Sequence, residues 1–126
     1  MKEVTAAIIE KNNKILIAKR ARGHQLEGMW EFPGGKIEEG ETPEQCLRRE
    51  LVEEFNITTE IGTFYAESLY EYETGAIKLL AYKTKWIDGD FKLTVHSDIK
   101  WVDVDELGKF EFAPADISIV ERILEL

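Results

Sequence analysis

Apolar positions along the chain change period several times, and each change marks an element. VTAAII and ILIA lie on either side of Asn12-Asn13, which predicts a hairpin of strands at Val4–Glu10 and Lys14–Arg20. A loop over Ala21–Gly28 and a short extended piece at Met29–Phe32 then lead to Gly34-Gly35. From Pro43 to Phe55 the period becomes helical. Thr42 suits the N-cap, Pro43 the first turn, and Gln45 completes a Thr-x-x-Gln capping box. Asn56 tolerates the left-handed backbone that ends a helix. Leu47, Leu51, Val52 and Phe55 form the stripe expected to pack on a sheet. Two β-rich runs, Ile61–Tyr72 and Ala76–Ile87, flank Glu73-Thr74-Gly75. Asp88-Gly89 is a turn, Ile99–Val104 a further strand, and Ile117–Leu126 a closing helix. Strands mixed with two principal helices predict an α/β (α+β) architecture.

The polar face of the first helix carries the candidate chemistry. Glu50, Glu53 and Glu54 stand at i, i+3 and i+4, within an arc of about 100°. Like charges so placed repel by roughly 0.2–0.5 kcal/mol per pair, and a hard divalent cation would relieve that repulsion. A charged stripe on a helix is also commonly its solvated side. Arg49 beside Glu50 and the glycine pair upstream favour a working site.

At 126 residues the chain is long enough for one domain over 1–126, with no linker or internal repeat. Lys and Arg number 16 against 25 Asp and Glu, a formal charge of −9, which argues against a polymeric nucleic acid as partner. Gly34–Ile57 alone holds seven glutamates against Lys36, Arg48 and Arg49. A polyanion would approach that field together with cations, as a metal–nucleotide complex does. No stretch has membrane-spanning length, and Met1-Lys2-Glu3 leads into a strand rather than a leader, so a cytoplasmic protein is expected. Cys46 has no partner for a disulfide or the spacing of a zinc site, and is expected to be structural or incidental.

Gly35, Glu41, Arg49, Glu50, Leu51, Glu53, Glu54 and Ile57 fill eight of the nine defined positions of Gly-x5-Glu-x7-Arg-Glu-hydrophobe-x-Glu-Glu-x-Gly-hydrophobe. The segment thus resembles the signature of the Nudix hydrolases; Asn56 stands where that pattern has glycine. Both residues reach positive φ, so the departure preserves the backbone. The resemblance implies a mixed β-sheet sandwiched between helices, with Mg²⁺ (or Mn²⁺ in its place) assisting attack of water on a diphosphate. It implies metal ligation by Glu50, Glu53, Glu54 and the Gly35 carbonyl. Arg49 would orient Glu50, Glu41 would bond across loop and helix, and Glu50 or Glu53 would be the base.

KILIAKRA, WEFPGGKIEEGETPEQ and FAPADI look like the MutT branch, which hydrolyses nucleoside triphosphates to monophosphate and pyrophosphate. By position, Arg20 and Phe32 would border the base, Lys36 would meet phosphate and Asp116 would bond the base edge. The first substrate expected is an oxidised deoxynucleotide such as 8-oxo-dGTP, the second CTP or a 5-substituted dCTP. Nucleotide sugars, dinucleoside polyphosphates or a capped RNA end would be other Nudix substrates, and a binding module without turnover is the non-enzymatic alternative. Asp116 also suits a helix N-cap or first turn, and Phe32 also suits the core. Relatives often place a second glutamate before a late strand. Here Val95 occupies that place, followed by His96, which is either an accessory base or a plain loop residue. Monomer and homodimer both fit.

Overall fold

The computed structural model describes residues 1–125 and contains six strands, two α-helices and one 3₁₀ helix. In order they are β1 (Lys2–Lys11), β2 (Lys14–Arg20), β3 (Trp30–Glu31), α1 (Pro43–Phe55), β4 (Thr58–Tyr72), β5 (Gly75–Asp88), β6 (His96–Asp103), the 3₁₀ helix (Val104–Lys109) and α2 (Pro114–Leu124). Asn12 and Asn13 both have positive φ, the conformation a two-residue hairpin turn demands.

β1 runs parallel to β5 from Lys2↔Ile77 to Ile9↔Thr84, and β5 pairs antiparallel with β4. β2 pairs antiparallel with β3 and with β6. β1 and β2 pair only beside their turn, at Glu10↔Ile15 and Lys11↔Lys14. Beyond it, β1 bonds to the Pro33–Ile37 stretch instead: the Thr5 amide donates to the Gly35 carbonyl (2.8 Å) and the Ala7 amide to the Pro33 carbonyl (2.7 Å). The glycine-bearing loop is thereby stitched along β1 like an irregular strand.

Side chains alternate across the sheet and build two cores, as the two-residue strand period requires. Ala6, Ile8, Ile15 and Ile17 join Ala115, Ile119 and Val120 of α2 on one face. Ala7, Ile9, Leu16 and Ala18 join Leu47, Leu51 and Phe55 of α1 on the other. The mixed sheet therefore lies between two helices, as expected.

α1 has the predicted limits. Thr42 Oγ1 accepts from the Gln45 amide (3.1 Å), Gln45 Oε1 accepts from the Thr42 amide (2.9 Å), and Asn56 ends the helix at φ 59°. Its stripe differs: Val52 is 55% exposed, whereas Leu47, Leu51 and Phe55 are buried with Cys46. Leu47, Leu51 and Phe55 repeat every four residues, and Val52 lies one residue beyond that row, about 100° round the helix. β6 begins at His96 rather than Ile99, because β2 continues to Arg20, which faces His96 across a bulge. α2 begins at Pro114 rather than Ile117, its first turn suiting proline. The predicted helix end at Leu126 lies outside the described residues. Among them, no helix is long and apolar enough to cross a membrane.

Candidate active site

Arg49 organises the exposed face of α1. Its Nε donates to Glu41 Oε2 (2.6 Å), Nη2 to Glu41 Oε1 (2.9 Å), and Nη1 to Glu50 Oε1 (2.8 Å) and Glu53 Oε2 (3.1 Å). A planar fork with five donors can serve several carboxylates in this way, where an ammonium cannot. Glu41 does bond from the loop to the helix: it also accepts from the Glu38 amide at 2.9 Å. The Arg49 guanidinium lowers its pKa from 4.5 to about 2.

Gly35 meets Glu50 through the atom it lacks. A Cβ there would lie 2.3 Å from Glu50 Cδ and 2.5 Å from its Oε2, so only glycine lets this carboxylate lie against the loop. Its carbonyl is otherwise engaged, accepting from both the Thr5 amide (2.8 Å) and the Thr5 hydroxyl (3.0 Å). The expected metal-ligating carbonyl is thus directed into β1. Cys46 is buried behind the same loop, in contact with Thr5 Oγ1 at 3.4 Å, which bears out its structural reading.

Of the three helix carboxylates, Glu50 and Glu54 meet as the helical spacing suggests, while Glu53 stands apart on Arg49. Glu50 and Glu53 are drawn to Arg49, and Glu54 turns toward β3 and β6. Among the described residues, no three acidic, histidine or cysteine side chains form a ready cation cage. Burial, followed by its hydrogen bond and repulsion with Glu50, raises the Glu54 pKa from 4.5 to about 8. A carboxyl crowded against a second acid marks a place where a cation would be favoured.

Glu54 opens on a cleft of about 590 Å³ that also receives Arg20, Phe32, Gly35, Lys36, His96 and Asp116. Every expected residue of the base and phosphate pockets therefore lines one cavity with the end of the carboxylate row. Glu31, to which no sequence motif assigns a role, is its hub. It accepts from Arg20 Nη1 (2.7 Å) and pairs with His96 Nε2 (2.7 Å). The alternation Trp30-Glu31-Phe32 carried the signal: an acid between two core aromatics on a strand points to the opposite face. Tyr72, also missed, accepts the Ala115 amide on its hydroxyl at 2.9 Å and lines the cleft; nothing local distinguishes it from the other tyrosines of its strand.

His96 is not a surface loop residue. It starts β6, is 8% exposed, and stacks on Phe55 with ring centroids 4.9 Å apart. Asp116 is likewise buried, in the first turn of α2 but not as its cap, which is Ala113. Its Oδ2 accepts the Phe32 amide at 3.0 Å. Burial first, then the charge of Glu31, raises its pKa from 3.8 to about 8, against the opposing pull of the Phe32 amide and Arg20. Phe32 serves both its readings, lining the cleft while packing in the core against Phe112 at 5.3 Å.

A loop pinned to β1, a carboxylate helix and a cleft across the sheet end define a fold with known relatives. The family model described as NUDIX domain matches residues 1–123. A CTP pyrophosphohydrolase of Escherichia coli is 37% identical over 126 residues, covering 100% of this chain and 93% of the relative. An 8-oxo-dGTP diphosphatase of Haemophilus influenzae is 35% identical, covering 97% and 90%. The solution structure of the E. coli ORF135 protein superposes with a TM-score of 0.86 at 38% identity, covering 100% and 90%. The chain belongs to the Nudix hydrolase family. It is accordingly a hydrolase of pyrophosphate bonds, in a family that uses divalent metal ions and small nucleotide substrates.

Proposed function

We propose that this single-domain protein is a Mg²⁺-dependent nucleoside triphosphate pyrophosphohydrolase, releasing monophosphate and pyrophosphate, that clears oxidised deoxynucleotides such as 8-oxo-dGTP from the cytoplasmic pool. The observation that carries this reading is the joining, in one cleft, of the carboxylate Glu54 with a buried polar reader, Asp116. The oxygen donors of Glu50, Glu53 and Glu54 suit Mg²⁺, with Mn²⁺ able to replace it. Glu53, whose side chain is 58% exposed, is free to leave Arg49 and complete the set. A bound cation would neutralise phosphate charge and make water a better nucleophile.

The remaining work falls to the chain itself. Arg49 holds Glu50 while Glu50 or Glu53 takes the proton from water, and the glycine at 35 keeps Glu50 against the loop. Lys36, exposed at the cleft rim, meets phosphate. Phe32 and Arg20 wall the base end, and Asp116 reads the base edge.

One observation favours a second substrate, a cytidine nucleotide. With a pKa of about 8, Asp116 is protonated at neutral pH and offers one donor and one acceptor. That pair complements the N3 acceptor and N4 amino group of cytosine, whereas the N1–H and amino group of a guanine ask for two acceptors. The relative named as a CTP pyrophosphohydrolase supports the same reading.

Product analysis with Mg²⁺ on 8-oxo-dGTP, dGTP, CTP, 5-methyl-dCTP and a nucleotide sugar tests both. Monophosphate and pyrophosphate, formed fastest from 8-oxo-dGTP, are expected. Fastest turnover of the cytidine nucleotides moves the assignment to the second substrate, and no triphosphate turnover refutes it altogether. Glu50→Gln is expected to lower kcat by roughly 10²–10³-fold, as loss of a charge-stabilising group does, with the fold intact. Substantial activity of this variant at saturating Mg²⁺ would remove Glu50 from the mechanism.

A further inference from the structure

We propose that His96 is a positioning residue for Glu54, itself anchored by Glu31, and that it ties the base end of the cleft to the carboxylate helix; this rests on the metal-assisted reading above. Each part of the geometry serves that end. Nε2 is fixed by a hydrogen bond with Glu31 Oε2 at 2.7 Å. The ring is clamped flat against Phe55, with 24° between the planes. Its other nitrogen, Nδ1, is buried without a hydrogen-bond partner and lies 3.9 Å from Glu54 Oε1. A small swing of Glu54 closes that gap to a hydrogen bond. Whichever group carries the proton, the contact restricts the carboxylate's rotation.

The backbone before His96 is fastened to the same end of α1, so the ring cannot drift from its target. Thr94 Oγ1 donates to the Glu53 carbonyl at 3.2 Å, the Thr94 amide to the Glu54 carbonyl at 3.3 Å, and the Lys92 amide to the Phe55 carbonyl at 3.1 Å. These are the carbonyls a helix end leaves without partners. The 92–96 segment caps them and delivers the imidazole to Glu54 in one stroke. Groups that orient metal-binding side chains in this way typically affect affinity 10–100-fold.

The test is Mn²⁺ affinity of the full-length protein without nucleotide, followed by the paramagnetic resonance of free Mn²⁺, with thermal unfolding to verify each variant's fold. His96→Gln can keep the bond to Glu31 while losing the group that faces Glu54. His96→Asn keeps a polar group at the Nδ1 position, and His96→Phe keeps only the stack on Phe55. Expected are Mn²⁺ dissociation constants raised by about 10-fold or more in His96→Gln and His96→Phe, with His96→Asn nearer the wild type. Unchanged affinity in folded His96→Gln overturns the proposal, as does a series in which His96→Phe is the mildest. Should His96→Phe fail to fold, His96→Gln decides alone. Because the readout needs no substrate, Mn²⁺ binding in the expected order without triphosphate hydrolysis would refute the proposed activity and uphold this inference. No Mn²⁺ binding by the wild type would overturn the proposal.

Discussion

Two acidic clusters meet at Glu54, and they are built in opposite ways. On the outer side, Glu41, Glu50 and Glu53 gather round Arg49, all within thirteen residues of chain, by helical spacing and one loop contact. On the inner side, Glu31 and Asp116 come from β3 and α2, and Arg20 and His96 from β2 and β6. In the outer cluster the Arg49 guanidinium lowers the Glu41 pKa to about 2. In the inner one His96 and Asp116 are buried, and desolvation raises the Glu54 and Asp116 pKa values to about 8. One guanidinium in partial solvent neutralises its neighbours, whereas in the cleft burial outweighs the nearby Arg20. The difference separates a part suited to holding cation and phosphate from a part suited to reading a neutral base.

Gly35→Ala should break the comparison hardest. Its Cβ would strike the Glu50 carboxylate, so activity should fall on the order of 10²-fold, the cost of displacing a reactive group by about 1 Å. Circular dichroism should be unchanged, and activity near the wild-type level would show that the loop yields. Asp116→Asn addresses the inner cluster. The folded protein binds the Asp116 proton between about pH 4 and 8 while the unfolded chain does not, so wild-type stability should decline as pH rises through that window. The variant should flatten the decline in Tm measured from pH 5 to 8 and, because an amide also offers a donor and an acceptor, leave turnover of cytidine nucleotides in place; an unaltered pH slope would place the buried proton elsewhere.

The outer cluster should titrate the other way. Glu41 contributes stability that is complete above pH 4.5 and lost as pH falls toward 2. Arg49→Lys keeps the charge but loses the fork, so its Tm should fall below that of the wild type at neutral pH, with the gap narrowing in acid as Glu41 is protonated. The smallest effect is expected at Val52. Val52→Lys should change stability by less than about 0.5 kcal/mol in urea unfolding, as for an ordinary surface position. A loss of several kcal/mol would restore it to the packed stripe.

Both outcomes at Val52 and Gly35 bear on how far local pattern reaches. Thr42, Gln45 and Asn56 determine where α1 starts and stops because capping bonds span three or four residues, and the structure has those limits. The Asn12-Asn13 turn and the extent of β2 follow for the same reason. His96 was misplaced because Val95-His96-Ser97-Asp98 has no alternation of its own; Arg20 across the sheet makes it a strand. Glu31 has no local sign of its role as a hub, because the imidazole that completes it, His96, lies 65 residues away.

Local spacing along the chain sets the carboxylate helix, its caps, the glycine that must precede it, the order of strands and helices, and through them the family. These depend on contacts between near neighbours, where spacing is geometry. Packing settles that Glu54, beside Glu50, also faces Glu31 and His96, that the Gly35 carbonyl faces Thr5, and that Asp116 is buried on the Phe32 amide. Those outcomes depend on desolvation and on partners that meet only when two faces of the sheet are packed, and a charge or a proton is assigned by that surrounding medium rather than by the residue's place in the chain.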